Sequence, residues 1–336
     1  MQITTIDLDL AKNVFHVVCC NAQNRVLKRK VLKRQQVLNY LARVPACLVA
    51  MEACSTSNYW AREIAALGHK VKLLPPQHVK AFLTGNKNDF NDALAIVVAS
   101  QQSHIKSVEV KTEEQQDSQT LHKMRELAVR QRTALCNQIR NLMSERGIIL
   151  KPGIQALKCG VSELLGHPQR LSGMMKTLLH HLYSQLTRLE DSIAEYNKLI
   201  QQEGQNNDIC QRLQSIPGIG SLVASALFNE IGNGSAYKKG RDVSASLGLV
   251  PKQYSSGGKD RLLGISKRGN RYLRCLLILG AKAVVSRAKH KTDPLSLWIN
   301  RLVAQRGHNK ACVAYANKMA RMAWAITVSG ELYQPA

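Results

Sequence analysis

Acidic residues are scarce in this chain of 336 residues. Asp and Glu together number 23 against 47 Lys and Arg, which gives a formal net charge of +24. An excess of this size indicates a polyanionic partner and argues against an enzyme that acts on small neutral metabolites.

Long apolar runs and paired metal-binding cysteines are also missing. The sequence contains no uncharged apolar run of eighteen residues or more, and Asp7 and Asp9 lie where a signal peptide would carry basic and then apolar residues. The nine cysteines form no C-x-x-C pair, which argues against structural zinc and against a disulfide framework. We therefore expect a soluble, cytoplasmic protein from a reducing compartment.

Residues 1–106 alternate short β-rich runs with helical patterns. The runs ITTIDLDL, VFHVVCC and RVLKRKVL predict three strands joined by hairpin-length turns. A helix near 35–42, a strand ACLVAME, a helix near 57–67, a strand HKVKLL and a helix in NKNDFNDALAIVVAS follow. This order matches an RNase H-like, or RuvC-like, α/β domain by analogy of fold, which proves no activity.

Residues 107–205 lose the strand signals and become rich in helical patterns. A heptad seam is formed by Met175, Leu179, Leu182, Leu186, Leu189, Ile193, Tyr196 and Ile200. Its expected partner is the stretch 119–145, where Leu121, Ala128, Leu135 and Leu142 are seven apart, with a turn at 151–173 that contains Pro152, Gly153, Gly160, Gly166 and Pro168. The pattern predicts an antiparallel coiled-coil arm and leaves open whether the arm dimerises the protein.

Residues 206–336 form a helical and strongly basic third region. Between Lys238 and Arg321 there are 19 Lys or Arg against three acids. Charge runs are often only a solvated surface, but this imbalance favours contact with nucleic acid.

A set of acids falls at the ends of the predicted sheet elements. Asp9 ends the first strand, Glu52 follows the fourth, and Asp89 and Asp92 begin the last helix. In an RNase H-like sheet these positions converge, and convergent carboxylates need a divalent cation, of which Mg²⁺ suits oxygen ligands and phosphate. Asp7 lies on the same strand face as Asp9, so either residue is a candidate ligand.

The segment 213–227 reads as a helix, a Pro-Gly-Ile-Gly turn and a second helix. It resembles a helix-hairpin-helix, in which the amides of Gly218 and Gly220 would hold a DNA phosphate. A tight helical hairpin that only packs remains the alternative.

A third segment, 247–274, places Ser255 and Ser256 in a flexible Ser-Ser-Gly-Gly-Lys loop among cations. These cations are Lys259, Arg261, Lys267, Arg268, Arg271 and Arg274. A serine there has the surroundings to attack phosphorus, but chemistry alone favours a loop that contacts phosphate.

Taken together, these stretches resemble the DEDD transposases of the insertion-sequence family one-ten, and especially its eleven-eleven subgroup. The matching stretches are Asp9-Leu-Ala-Lys-Asn-Val-Phe, Met51-Glu-Ala-Cys, Tyr59-Trp-Ala-Arg-Glu, Lys87-Asn-Asp-Phe-Asn-Asp, Ile216-Pro-Gly-Ile-Gly, Gly248-Leu-Val-Pro, Ser255-Ser-Gly-Gly-Lys and Ile265-Ser-Lys-Arg-Gly-Asn-Arg-Tyr-Leu-Arg. The resemblance implies a RuvC-like domain (1–106), a coiled-coil arm (107–205) and a helical transposase domain (206–336). It places the acidic tetrad on Asp9, Glu52, Asp89 and Asp92 and the nucleophile on Ser256, with Ser255 as the fallback.

The resemblance further implies Mg²⁺-dependent strand exchange through a phosphoserine, guided by a structured RNA that pairs with donor and target DNA, in a homo-oligomer, a dimer or a tetramer. The chain departs from the family at Asp7-Leu8-Asp9, where the family has Gly-Ile-Asp. Three alternatives remain: a RuvC-like junction-resolving nuclease, an invertase of the pilin-gene type, and an inactive nucleic-acid-binding module.

Overall fold

The computed structural model of the protein describes residues 2–83, 88–167 and 170–335. The chain forms two compact units, Met1–Glu113 and Glu114–Ala336. Within the described ranges, no helix has the length and apolar character needed to cross a membrane.

The first unit is built on a five-stranded sheet in the order β3-β2-β1-β4-β5. The strands are β1 (Thr5–Asp9), β2 (Val14–Cys20), β3 (Val26–Lys33), β4 (Leu48–Glu52) and β5 (Lys70–Leu74). The first three strands pair antiparallel as hairpins, whereas β4 pairs parallel with β1 and β5. These elements confirm the predicted mixed α/β organisation.

Helices cover both faces of this sheet. They are α1 (Val37–Leu41), which a 3-10 turn at Arg34–Gln36 precedes, α2 (Ser57–Ala66), α3 (Pro76–Val79), which a 3-10 turn at Lys80–Phe82 follows, and α4 (Asp89–Ser100). Because side chains alternate along a strand, Ile6 and Leu8 of β1 pack into one core with Trp60 of α2. On the other face, Val18 of β2 packs against Ala93 of α4.

Three long helices open the second unit: α5 (Glu113–Ser144, whose first residue closes the first unit), α6 (Ile154–Gly166) and α7 (Gly173–Gln205). The predicted seam of α7 faces inward, with Met175, Leu179, Leu186, Ile193 and Ile200 buried. Ser118 of α5 donates to Glu203 of α7 over 2.8 Å, and Arg125 donates to Asn197 over 2.6 Å. The two helices therefore run antiparallel.

The expectation of a simple turn at 151–173 is wrong, because α6 occupies 13 residues of it. Leu157, Val161 and Leu164 are buried on one face of this helix, and that burial outweighs the low helix propensity of Gly160. A Cβ on Gly160 would lie 2.7 Å from the Leu150 side chain, so the glycine also permits close packing. Pro168 lies outside the described residues.

The remaining elements of the second unit are α8 (Asp208–Leu213), α9 (Ser221–Ile231), α10 (Gly240–Ser246), β6 (Pro251–Gln253), β7 (Leu262–Ile265), α11 (Arg271–Arg287), α12 (Pro294–Arg306) and α13 (His308–Ser329). Their helices share one apolar core around Leu227, Leu277 and Tyr315.

A β-hairpin interrupts this region, which the sequence had indicated to be helical with a flexible loop. Strands β6 and β7 pair antiparallel, and an isolated bridge joins Ser256 to Lys259 at the tip. Gly257 and Gly258 have φ of 56° and 76°, the left-handed conformation that a two-residue hairpin turn requires at both positions. The Gly-Gly pair therefore makes a turn rather than a flexible loop.

Candidate active site

The first unit brings the four predicted acids to one edge of its sheet. Asp9 ends β1, and Glu52 ends the adjacent parallel strand β4, so both carboxylates leave the sheet at the same side. Asp89 and Asp92 lie in the first turn of α4, which begins there because the Asn88 side chain accepts a hydrogen bond from the amide of Asn91.

The electrostatics of Asp9 reflect this convergence. Burial is the main cause that raises the pKa of Asp9 to about 6, and the neighbouring charges of Asp92, Asp89 and Glu52 add to it, while His16 lowers it. Burial and the charge of Asp92 also raise the pKa of Glu52. The four carboxylates therefore repel one another in a partly desolvated site.

His16 of β2 joins this cluster, although the sequence reasoning missed it. It lies directly opposite Asp9 in the hairpin register, and its Nδ1 is 3.5 Å from Oδ2 of Asp89. One ligand atom from each of Asp9, His16 and Asp89 lies within 4.8 Å of the others. The pairing register of β1 with β2 places His16 opposite Asp9 and would have identified it as a candidate.

This donor set fits a divalent cation. Carboxylate oxygens dominate it, and a cation between them would offset both the burial of the Asp9 carboxylate and the repulsion from its acidic neighbours. A carboxylate cluster open to one side also leaves room for phosphate oxygens, since Asp89 remains exposed.

Asp7 occupies a different environment from Asp9. Its side chain is fully buried, and neither of its oxygens has a hydrogen-bond partner among the described residues. Burial raises the pKa of Asp7 well above its ordinary value. Of the two candidates on β1, Asp9 is therefore the one that a bound ion and a nucleic acid can both reach.

The hairpin β6–β7 carries both candidate serines. Ser255 Oγ donates to Asp260 Oδ1 over 2.8 Å, and Gln253 Nε2 donates to Ser255 Oγ over 3.0 Å and to Asp260 Oδ1 over 3.2 Å. Within the described ranges, the hydroxyl of Ser256 has no hydrogen-bond partner. Ser255 is thus held by its neighbours, whereas the Ser256 hydroxyl is available.

The cations proposed to surround the serines fall into two groups. Exposed side chains belong to Lys259, Arg261, Lys267, Arg268 and Arg271. Arg274 departs from the expectation of nucleic-acid contact because it is only 7% exposed and donates to the carbonyls of Leu247 and Arg268. Its guanidinium therefore fixes the chain that leads from the hairpin into α11.

The two glycines of the helical hairpin α8–α9 also differ in their surroundings, because Gly218 is packed and Gly220 is exposed. Gly218 has a φ of 89°, and a Cβ on it would lie 2.8 Å from the carbonyl oxygen of Gly280 in α11, so close backbone packing requires this glycine. Tyr315 Oη donates to the Pro217 carbonyl over 2.7 Å and holds the same turn. Gly220 is exposed at the N-cap of α9, where amide groups point outward.

Two family models match the chain. One, described as "Transposase IS116/IS110/IS902 family", matches residues 210–295, and a DEDD transposase model, described as "Transposase", matches residues 6–147. The first match contains the serine hairpin and the second contains the acidic cluster.

Similar proteins span the whole chain. A "Probable family 20 transposase" of Pseudomonas aeruginosa is 43% identical over 100% of both chains. The transposase for insertion sequence element IS1111A of Coxiella burnetii is 40% identical, with 99% of this chain and 92% of that protein covered. The transposase for IS1328 of Yersinia enterocolitica is 39% identical, with 99% of each covered.

Two family models in chain order and full-length relatives at this level of identity establish the family. The chain belongs to the IS116/IS110/IS902 family of insertion-sequence transposases, which are enzymes that cleave DNA and transfer its strands.

Proposed function

We propose that this transposase exchanges DNA strands through a transient phosphoserine on Ser256, with Asp9, Glu52, Asp89 and Asp92 as ligands of Mg²⁺. The observation that carries the proposal is the convergence of four carboxylates in the first unit, where burial and then the charges of Asp92, Asp89 and Glu52 raise the pKa of Asp9 to about 6. Domains of the DEDD transposase type typically use a divalent metal, and the choice of Mg²⁺ follows from oxygen ligands beside phosphate.

Through a bound metal ion, the acids would hold and orient the scissile phosphate. When bound, Mg²⁺ would supply Lewis-acid stabilisation of the charge on the phosphoryl oxygens. Asp9 and Glu52 at the ends of paired strands fix two ligands rigidly, and His16 keeps Asp89 in place over 3.5 Å. The sheet thereby positions the phosphate before reaction.

In the first transfer, Ser256 Oγ attacks the phosphorus, a serine O–P bond forms, and the P–O bond to the leaving DNA hydroxyl breaks. The serine loses its proton to solvent, and the leaving oxygen takes one up. The hydroxyl of another strand then attacks the phosphoserine, which restores Ser256 without net hydrolysis. Lys259 and Arg261, both exposed beside the serine, stabilise the charge that develops on phosphorus.

Contacts with nucleic acid extend beyond the serine. We assign phosphate contacts to Gly220 and to the exposed Lys267, Arg268 and Arg271, and a supporting role for the turn to Gly218. Arg274 supports the loop from within.

We further propose a structured guide RNA that pairs with donor and target DNA, and a homo-oligomer in which the tetrad of one protomer works beside the serine of another. The net charge of +24 supports a polyanionic partner, a class to which both RNA and DNA belong. The antiparallel α5–α7 pair, with its buried seam, supports a coiled-coil arm as the assembling element. The domain division at 106 and 205 belongs to the same proposal.

The test is a search for a denaturant-resistant protein–DNA adduct. The full chain is incubated with its element RNA, donor and target duplexes and Mg²⁺, and the adduct is mapped by peptide mass. We expect an adduct on Ser256 that Ser256→Ala abolishes and that the matched Ser255→Ala variant retains. Asp9→Ala should abolish the adduct as well, because it removes a metal ligand.

A junction-resolving nuclease is the competing function, because the acidic cluster is complete within the first unit. It predicts DNA cleavage that survives Ser256→Ala, disappears in Asp9→Ala or Glu52→Ala, and leaves no adduct in any variant. That result would overturn the phosphoserine mechanism.

A further inference from the structure

The edge of the catalytic sheet carries a concentrated positive charge. Six of the ten residues 25–34 are basic and none is acidic, namely Arg25, Lys28, Arg29, Lys30, Lys33 and Arg34. Most of them belong to β3, which is the outermost strand on its side of the sheet. All except Lys30 are exposed.

Strand register places two of these cations on the face of the acidic cluster. Asp9 lies opposite His16, and His16 lies opposite Val31 on β3. Arg29 and Lys33 stand two residues on either side of Val31 and therefore project from the same face. Lys28 lies opposite Cys19 and projects from the other face.

The distances suit successive groups along one chain of nucleic acid. Val31 is two strand spacings from Asp9, about 10 Å, and each step of two residues along β3 adds about 7 Å. The backbones at Arg29 and Lys33 are therefore both about 12 Å from Asp9. The arginine and lysine side chains are long enough to reach from these backbone positions to the phosphates on either side of the one held by the acids.

These cations are not committed to carboxylates. Among the described residues, none of the six forms an ion pair. The Arg29 guanidinium instead lies 5.7 Å from the ring centre of Phe90, next to Asp89 in α4. Stacking on a ring orients a guanidinium and leaves its N–H groups free for phosphate.

Protection of the sheet edge does not account for this charge. Lysines on an edge strand prevent pairing with other chains, but charges of mixed sign do so equally well and without mutual repulsion. Six cations without one acid, two of them on the face of the acidic cluster, indicate an anionic ligand.

We propose that Arg29 and Lys33 bind the backbone phosphates of the DNA strand on either side of the phosphate held by the acids. The identity of the cleaved phosphate rests on the proposed function, but the binding itself does not. Arg29 and Lys33 thereby give the first unit a DNA-binding site of its own, in addition to the basic residues of the second unit.

The experiment measures binding of the full chain to a labelled DNA duplex across a salt series in EDTA, where metal-dependent chemistry is absent. The logarithm of affinity falls with the logarithm of salt concentration by about 0.9 for each phosphate contact. Arg29→Gln with Lys33→Gln should lower the slope by about 1.8 and weaken binding by roughly tenfold or more. The matched control, Arg25→Gln with Lys28→Gln, removes the same charge and should leave the slope nearly unchanged.

A gain of contact makes the test independent of loss of folding. Val31 is 53% exposed between the two cations, so Val31→Lys should raise the slope by about 0.9. The proposed site would be wrong if the test and control pairs reduced the salt slope equally, or if Val31→Lys left the slope unchanged. A loss confined to an RNA of the same sequence would overturn the assignment to DNA.

The same measurement separates this proposal from the mechanism. Ser256→Ala should keep the parental salt slope even though it forms no adduct. If the wild-type protein gives no adduct but the Arg29 and Lys33 variants show a weaker salt dependence of DNA binding, then the phosphoserine mechanism is wrong and the proposed DNA-binding site is supported.

Discussion

The two units present their candidate site residues in opposite ways. In the first unit, Asp9 and Glu52 project from strands whose neighbouring residues are fully buried, so the sheet fixes them. In the second, Ser256 lies at the tip of an exposed two-stranded hairpin. The proposed function accounts for this difference, because the ligands of one ion need a rigid frame, whereas a nucleophile that attacks DNA needs an exposed position.

The difference also appears in how each site is stabilised. The acids repel one another, and that repulsion is a cost in the free protein. The hairpin has little core of its own and depends on the segments that flank it, where Gly248, Gly269 and Arg274 fix the backbone. Four predictions test this contrast, beginning with the largest effect.

The hairpin should depend on Gly269 more than on the glycines at its tip. A Cβ on Gly269, which has a φ of 69°, would overlap the Ser246 carbonyl oxygen. We expect Gly269→Ala to lower the free energy of unfolding by about 3 kcal/mol or more. The control Gly257→Ala meets nothing within 4 Å and should cost only about 1–2 kcal/mol for its left-handed backbone. Urea unfolding measures both, and equal losses would contradict the packing argument.

One buried titratable group of the second unit is a histidine. His122 is 4% exposed and contacts Ser225 and Tyr272, each over 3.0 Å. Burial, and then the charge of Arg125, lowers its pKa from 6.5 to about 4. The unfolded chain therefore binds the proton first, and stability should fall by about 3 kcal/mol as pH drops from 6.5 to 4.

His122→Gln, which does not titrate, is the control for that loss. Chemical unfolding between pH 4 and 7 should show a smaller acid-dependent decrease in the variant than in the parent. Parallel curves would mean that other groups cause the acid sensitivity.

Asp9→Asn should be more stable than the parent in EDTA, because it removes the burial of a charged carboxylate and the repulsion from the other acids. The raised pKa of Asp9 means that its stability cost grows as pH rises from 3.8 to about 6 and is complete at pH 7. Two pKa units correspond to about 3 kcal/mol, and solvent screening at this partly exposed site reduces the expected gain to about 1–2 kcal/mol. Mg²⁺ should raise the melting temperature of the parent and not of the variant, and a parental melting temperature unaffected by Mg²⁺ would argue against the metal site.

Ser255→Ala should have the smallest effect. It removes the hydrogen bond to Asp260 at an exposed position. Loss of one such bond typically lowers the free energy of unfolding by about 1 kcal/mol. The rate of adduct formation should fall by less than about tenfold. If this variant abolishes the adduct instead, then Ser255 and not Ser256 is the nucleophile.

The sequence predicts the parts of the fold that follow simple periodicity. Short β-rich runs predicted the five strands of the first unit, and the heptad seam predicted the buried face of α7. Positions at the ends of predicted sheet elements singled out four acids, the resemblance then placed a tetrad on them, and the structure brings Asp9, Glu52, Asp89 and Asp92 together.

Features that depend on tertiary contacts were not predictable in this way. Helix α6 forms despite Gly160 because its apolar face is buried. Arg274 looks like its exposed basic neighbours in the sequence, but carbonyls of two separate segments bind its guanidinium inside the fold. His16 became recognisable only through its register with Asp9.

The contact between Gly218 and Gly280 has a mechanical consequence. Helix α11 touches the α8–α9 turn at Gly280, and its first residue, Arg271, follows directly after the segment that holds the hairpin. Because neither glycine has a side chain, the backbone of the turn lies directly against the backbone of the helix. A displacement of the turn would therefore be passed to α11, whose first residue, Arg271, closely follows the hairpin that carries Ser256.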